Sequence, residues 1–136
     1  MPDPTADRLR PHPDGRFAAL QHEFNLDEVA ARLNAEVEAG EAGHRQEMLY
    51  KHGPTSVTLF VFGHLTRLPP HRTKGVVTIQ VLKGHLQVTA ESQSHNLHAG
   101  HLLILAAGVQ HDVVAREESW MLLTVNLETT AVPGKA

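Results

Sequence analysis

The sequence has no cysteine. That excludes disulfide staples and thiolate metal sites, and it removes any need for an oxidising compartment. No apolar run approaches the ~20 residues that span a bilayer, and the start, Met1-Pro2-Asp3-Pro4, has neither a basic nor an apolar leader segment. Lysine and arginine form no cluster and the net charge is −3 with neutral histidines, so a nucleic acid or an anionic membrane finds no electrostatic footprint. Gly-x-Ser-x-Gly, P-loop, GxGxxG and His-Glu-x-x-His signatures are all missing. Internal repeats and linkers are missing too. These absences leave one cytoplasmic domain, and 136 residues are enough to bury its core without metal support.

One residue type is over-supplied. Eleven histidines stand at 12, 22, 44, 52, 64, 71, 85, 95, 98, 101 and 111. Histidine is the commonest metal ligand and titrates near neutrality, but most of these sit singly beside turns and read as solvated surface groups.

Residues 1–24 form a proline-rich arm with the turn Pro13-Asp14-Gly15, and Phe17, Ala18, Leu20 and Phe24 offer apolar surface to the domain. A helix is expected over 25–40: Asn25 caps it, Glu28 completes a capping box, and Leu26, Val29, Ala30, Leu33 and Val37 recur on one side. Gly40 is placed to end it.

From about residue 45 to 127 the period changes to two. Ser56 to Phe62 reads as a buried strand, Val76 to Leu82 and His85 to Ala90 alternate cleanly, and Leu102 to Leu105 reads as fully buried. His111–Val114 and Trp120–Leu127 are expected to pair across the turn at 116–119, and a mobile tail is expected over 128–136. Seven to nine short strands with turns every eight to twelve residues predict an all-β antiparallel sandwich or barrel with one N-terminal helix.

The stretch from Gly63-His64 to Gln110-His111 resembles the cupin family of jelly-roll β-barrels. The family's second motif, Gly-x5-Pro-x-Gly-x2-His-x3-Asn, is matched in spacing by Gly100, Ala106 in the proline position, Gly108, His111, and Ala115 in the asparagine position. The first motif keeps its frame from Pro69-Pro70-His71 to Lys83-Gly84, with Gly63 displaced to eight residues before His71. Its chemistry is eroded. His71 stands at the first histidine, but Thr73 replaces the second and Val77 the glutamate.

The resemblance implies a jelly-roll barrel whose interior site is built from His71, Thr73, Val77 and His111. It also implies, on two surviving ligands, one divalent transition metal (Fe, Mn, Ni or Zn) held by His71 and His111. Thr73 offers a neutral hydroxyl, Val77 shares the apolar phase of Ile79 and Val81, and Gln80 points the other way. Three functions follow as expectations. The first is a small cupin binding a small molecule, with a degenerate or absent metal site. The second is a metal-dependent dioxygenase or isomerase using His71 and His111. The third is a structural homodimer paired through an edge strand.

Overall fold

A computed structural model of the chain describes residues 13–36 and 43–128. A helical turn, α1 (Pro13–Arg16), precedes the helix α2 (Leu26–Asn34). Nine strands follow: β1 (His44–His52), β2 (Thr55–Phe62), β3 (Arg67–His71), β4 (Gly75–Lys83), β5 (His85–Ala90), β6 (Gln93–His98), β7 (Leu102–Leu105), β8 (His111–Ala115) and β9 (Ser119–Leu127). They make a five-stranded sheet in the order β1-β2-β9-β4-β7 and a four-stranded sheet in the order β3-β8-β5-β6. Every pairing is antiparallel. The chain crosses repeatedly from one sheet to the other, which gives the all-β jelly roll that the strand pattern and motif frame predict.

Strand phase decides what each sheet turns inward. Phe60 and Phe62 of β2, Val77, Ile79 and Val81 of β4, and Met121 of β9 line one wall of the core. Leu86, Val88 and Ala90 of β5, Leu97 of β6, and Val113 and Ala115 of β8 line the other. Alternation of apolar and polar residues along β4 and β5 is what put these side chains inside. At the crossing from β4 to β5 the chain turns at Gly84 with φ of 90°, and a β-carbon there would overlap Ser119 Oγ and the Glu118 carbonyl. Only glycine fits. Ser119 Oγ accepts from the His85 backbone N–H at 2.9 Å and donates to the Glu117 carbonyl at 2.8 Å, locking this corner.

A second, smaller core lies outside the barrel. Val29, Ala30 and Leu33 of α2 pack on Leu49, Leu59 and Val61, the outward residues of β1 and β2, with Trp120 and Leu122 at the margin. Asn25 caps the helix as expected, its Oδ1 accepting from the Glu28 N–H at 3.2 Å. The helix stops at Asn34, earlier than the periodicity suggested. The Glu36 carbonyl, an acceptor that a longer helix would use internally, instead takes two bonds from the Arg45 guanidinium, at 2.8 and 3.2 Å. Val37 and Gly40 lie outside the described residues, as do the first half of the arm and most of the tail. Of the arm's apolar residues, Phe17 meets Tyr50 edge-on at 5.8 Å, whereas Leu20 is wholly exposed.

Two expectations are corrected. Leu102 to Leu105 is not fully buried: Leu102 is 57% and Ile104 60% exposed, and only Leu105 is buried. β7 lies at the rim of its sheet, so its unbroken apolar run hides an alternation of inward and outward positions. Nor do the strands flanking 116–119 pair with each other. β8 lies between β3 and β5, while β9 lies between β2 and β4 in the other sheet. The short connection is a crossing between layers.

Candidate functional site at the barrel mouth

His71 ends β3 and His111 begins β8, and the register sets them directly opposite each other. Their ring centroids are 4.3 Å apart with planes inclined at 59°. His111 takes the inward phase of Val113 and Ala115 and is 3% exposed, whereas His71 is exposed at the rim. The pairing of β3 with β8 is broken between Leu68 and His71, where Pro69 and Pro70 supply no N–H. That bulge re-aims the strand end. The Pro69 carbonyl thereby reaches His71 Nδ1 at 3.0 Å.

His111 repeats the device, its Nδ1 lying 3.1 Å from the Val109 carbonyl. A carbonyl only accepts, so each Nδ1 carries a proton, and in the neutral ring the lone pair then lies on Nε2. Among the described residues neither Nε2 has a hydrogen-bond partner. Burial pushes the His111 pKa below the ordinary histidine value, and the neighbouring His71 lowers it further. The hydrogen bond to the Val109 carbonyl, second in weight to burial and ahead of His71, acts in the opposite direction, as does Asp112, the smallest of the four. The buried ring is therefore a neutral base at physiological pH.

Thr73 and Val77 enter differently. The Thr73 carbonyl accepts from the Gly108 N–H at 2.8 Å, which ties the segment after β3 to the turn before β8. Val77 is 2% exposed on the inner face of β4, beside Val125 of β9 and Leu105 of β7. His111 also borders an open depression of about 290 Å³, shared with Pro70, Thr89, Glu91, Ser92, Gln110 and Asp112. Thr73 and Val77 are not part of its lining.

Most of those polar lining residues escaped sequence reasoning, because hydroxyls, amides and carboxylates in hairpin turns have no spacing signature. Glu91 and Ser92 both have positive φ, 48° and 79°, and the Glu91 carboxylate holds the Gln110 N–H at 3.3 Å. His44, counted among the eleven histidines but not singled out, is half-buried. Its ring lies 5.4 Å from that of Phe60 and 5.6 Å from that of Phe62, and its buried Nδ1 has no partner.

The family likeness implies a metal, and the donor set can be tested against it. Two imidazoles with free Nε2 atoms and backbone-held Nδ1 protons fit the way histidine ligands are normally oriented. A third donor is wanting. Among the described residues no group of three or more histidine, aspartate or glutamate side chains is arranged to hold an ion. Catalytic sites ordinarily use three protein ligands, so no catalytic step through a metal follows from these residues.

Known proteins place the chain in context. Residues 56–134 match the family model described as the AraC-like ligand binding domain. No curated protein matches the sequence. Among solved structures, a conserved protein of unknown function from Streptococcus pyogenes is 22% identical, with a TM-score of 0.65, covering 82% of this chain and 93% of its own. An RmlC-like cupin from Shewanella frigidimarina gives a TM-score of 0.66 at 16% identity, covering 81% of this chain and 93% of its own. A cupin superfamily protein from Desulfitobacterium hafniense gives 0.63 at 20%, covering 68% and 84%. At such identities the likeness is one of fold. No helix among the described residues is long and apolar enough to cross a membrane. With its jelly roll, its paired mouth histidines and a family match over more than half its length, the chain is a small cupin belonging to the AraC-like ligand binding domain family.

Proposed function

We propose that this cupin binds a small polar molecule at the barrel mouth, with His71 and His111 as its principal contacts and Thr73 and Val77 as the supporting loop and facing wall. The supporting observation is the pair of facing imidazoles whose Nδ1 atoms are held by their own backbone, with His111 bordering a polar depression and the His71 ring 4.3 Å from that of His111. Two pre-oriented acceptors on rigid strand ends recognise donor groups without a large ordering cost. The family's description as a ligand binding domain supports the same reading. The metal-dependent enzyme is the weaker alternative, because Val77 puts a methyl group where a carboxylate ligand would be needed.

Elemental analysis of untagged protein, with thermal denaturation against a library of polar metabolites, tests the choice. A binding protein gains about 2.7 kcal/mol from a ligand at a hundred times its Kd. His111→Ala should abolish that gain. One equivalent of a transition metal that is lost in the His71→Ala/His111→Ala double variant would favour the enzyme instead.

A homodimer is a second reading, and the sheet edges favour it. β1 is charged and lies beside α2, β3 contains two prolines, and β6 is mostly polar. β7 has no charge and no proline, and it exposes Leu102 and Ile104. An unprotected apolar edge is a template for pairing, and a second copy of β7 suits it because the strand is self-complementary. Sedimentation of wild type beside an Ile104→Lys variant decides the point: a monomeric wild type rejects the dimer.

A further inference from the structure

The sequence contains more histidine than the mouth uses. Three of the remaining rings lie together at the other end of the four-stranded sheet. His85 of β5 and His98 of β6 are directly opposed in register. Their phase is opposite to that of Leu86 and Leu97, so both face outward. The rings are stacked 4.3 Å apart at 24°, so that a turn of one ring about its side-chain torsions is needed for both lone pairs to meet one ion. His101 meets His98 edge-on at 5.7 Å. No apolar layer forces them into contact.

We propose that His85 and His98 chelate a divalent transition-metal ion on this outer face, at a site separate from the barrel mouth. Tautomers support it. Asn96 Oδ1 accepts from His85 Nε2 at 3.0 Å, so the His85 lone pair is on Nδ1. The amide thus does for His85 what an outer-sphere carbonyl does for a metal-binding imidazole. His98 has no ring hydrogen bond among the described residues, and either nitrogen is available to an ion.

His101 is not a ligand. Its Nδ1 already accepts the His98 backbone N–H at 3.1 Å, which commits its other nitrogen to carrying the proton. The nearby Arg116 guanidinium is engaged by Gln87 Oε1, with Nε at 2.7 Å, and so is held on a neighbouring side chain. Two imidazoles leave the rest of the coordination sphere to water, which suits Cu²⁺, Ni²⁺ or Zn²⁺ and gives an exchangeable site. Protons compete for the same lone pairs, so affinity falls as the pH is lowered.

Zinc titration of untagged, chelator-stripped full-length protein, followed through imidazole ¹⁵N resonances, is the test. His85 and His98 should shift together in the wild type and equally in the His71→Ala/His111→Ala variant, which keeps this site independent of the mouth. His85→Gln should abolish the His98 response, and Asn96→Ala should weaken binding about tenfold. Should His85→Gln disturb the fold, His98→Gln read at His85 replaces it. Unmoved His98 resonances at saturating zinc overturn the proposal, as does a response that survives His85→Gln or vanishes with the mouth histidines.

Discussion

Two histidine pairs in one sheet have the same ring separation, 4.3 Å, and different surroundings. His71 and His111 stand at the mouth, with one ring buried and both Nδ1 atoms held by backbone carbonyls two residues earlier. His85 and His98 lie on the outer face near the opposite end, with one ring oriented by a side-chain amide. The contrast comes from strand phase. On β8 the histidine occurs in step with Val113 and Ala115, and on β5 out of step with Leu86 and Val88. One residue of register separates a desolvated base from a hydrated one.

The strongest way to break this contrast is Val77→Glu. It restores the carboxylate that the family motif lost, on the wall inside the barrel. Without metal it leaves an uncompensated buried charge costing about 3–5 kcal/mol, measurable by urea denaturation. Excess zinc should recover part of that loss in the variant and should do so only while His71 and His111 are intact.

Leu86→Ala comes next, because both pairs depend on β5. Leu86 is 0% exposed, and its truncation should cost about 2–5 kcal/mol while reducing binding at both ends.

The pH dependence separates the pairs more finely. His111 has a lowered pKa in the fold, so the unfolded chain takes up the proton first. Wild-type stability therefore declines as pH falls below about 6.5, the unfolded value, and the decline ends below the folded one. Denaturation of His111→Gln at several pH values should lack this component. At neutral pH, His85→Gln should change stability by no more than about 0.5 kcal/mol, as expected for a half-buried ring on the outer face whose amide partner glutamine can still reach.

Much of the barrel was legible in the sequence because alternation along β4, β5 and β8 states which side chains face inward. His71 and His111 were legible as a pair because the motif frame spans the turn at Gly108. What escaped notice depends on the third dimension. The run Leu102 to Leu105 looks the same whether a strand lies at the middle or the rim of a sheet. Strand neighbours β8 and β9 are separated by one short turn in sequence and by a whole layer in space. The tautomers of four histidines were also hidden, since each depends on which oxygen the fold brings to the ring. Thr73 illustrates the limit: the sequence offers its hydroxyl, but it is its carbonyl that accepts from the Gly108 N–H.

The paired prolines of β3 reach further than the aim of one ring. A strand that cannot donate along two successive residues leaves a seam in the wall, stitched above at Arg67 and Leu68 and below at His71. Parting it ruptures few bonds and leaves both cores packed, so amides of this rim should exchange with solvent sooner than those of β4. The doorway of the container is then a hem with two missing stitches, and traffic through it requires no unfolding of the room behind.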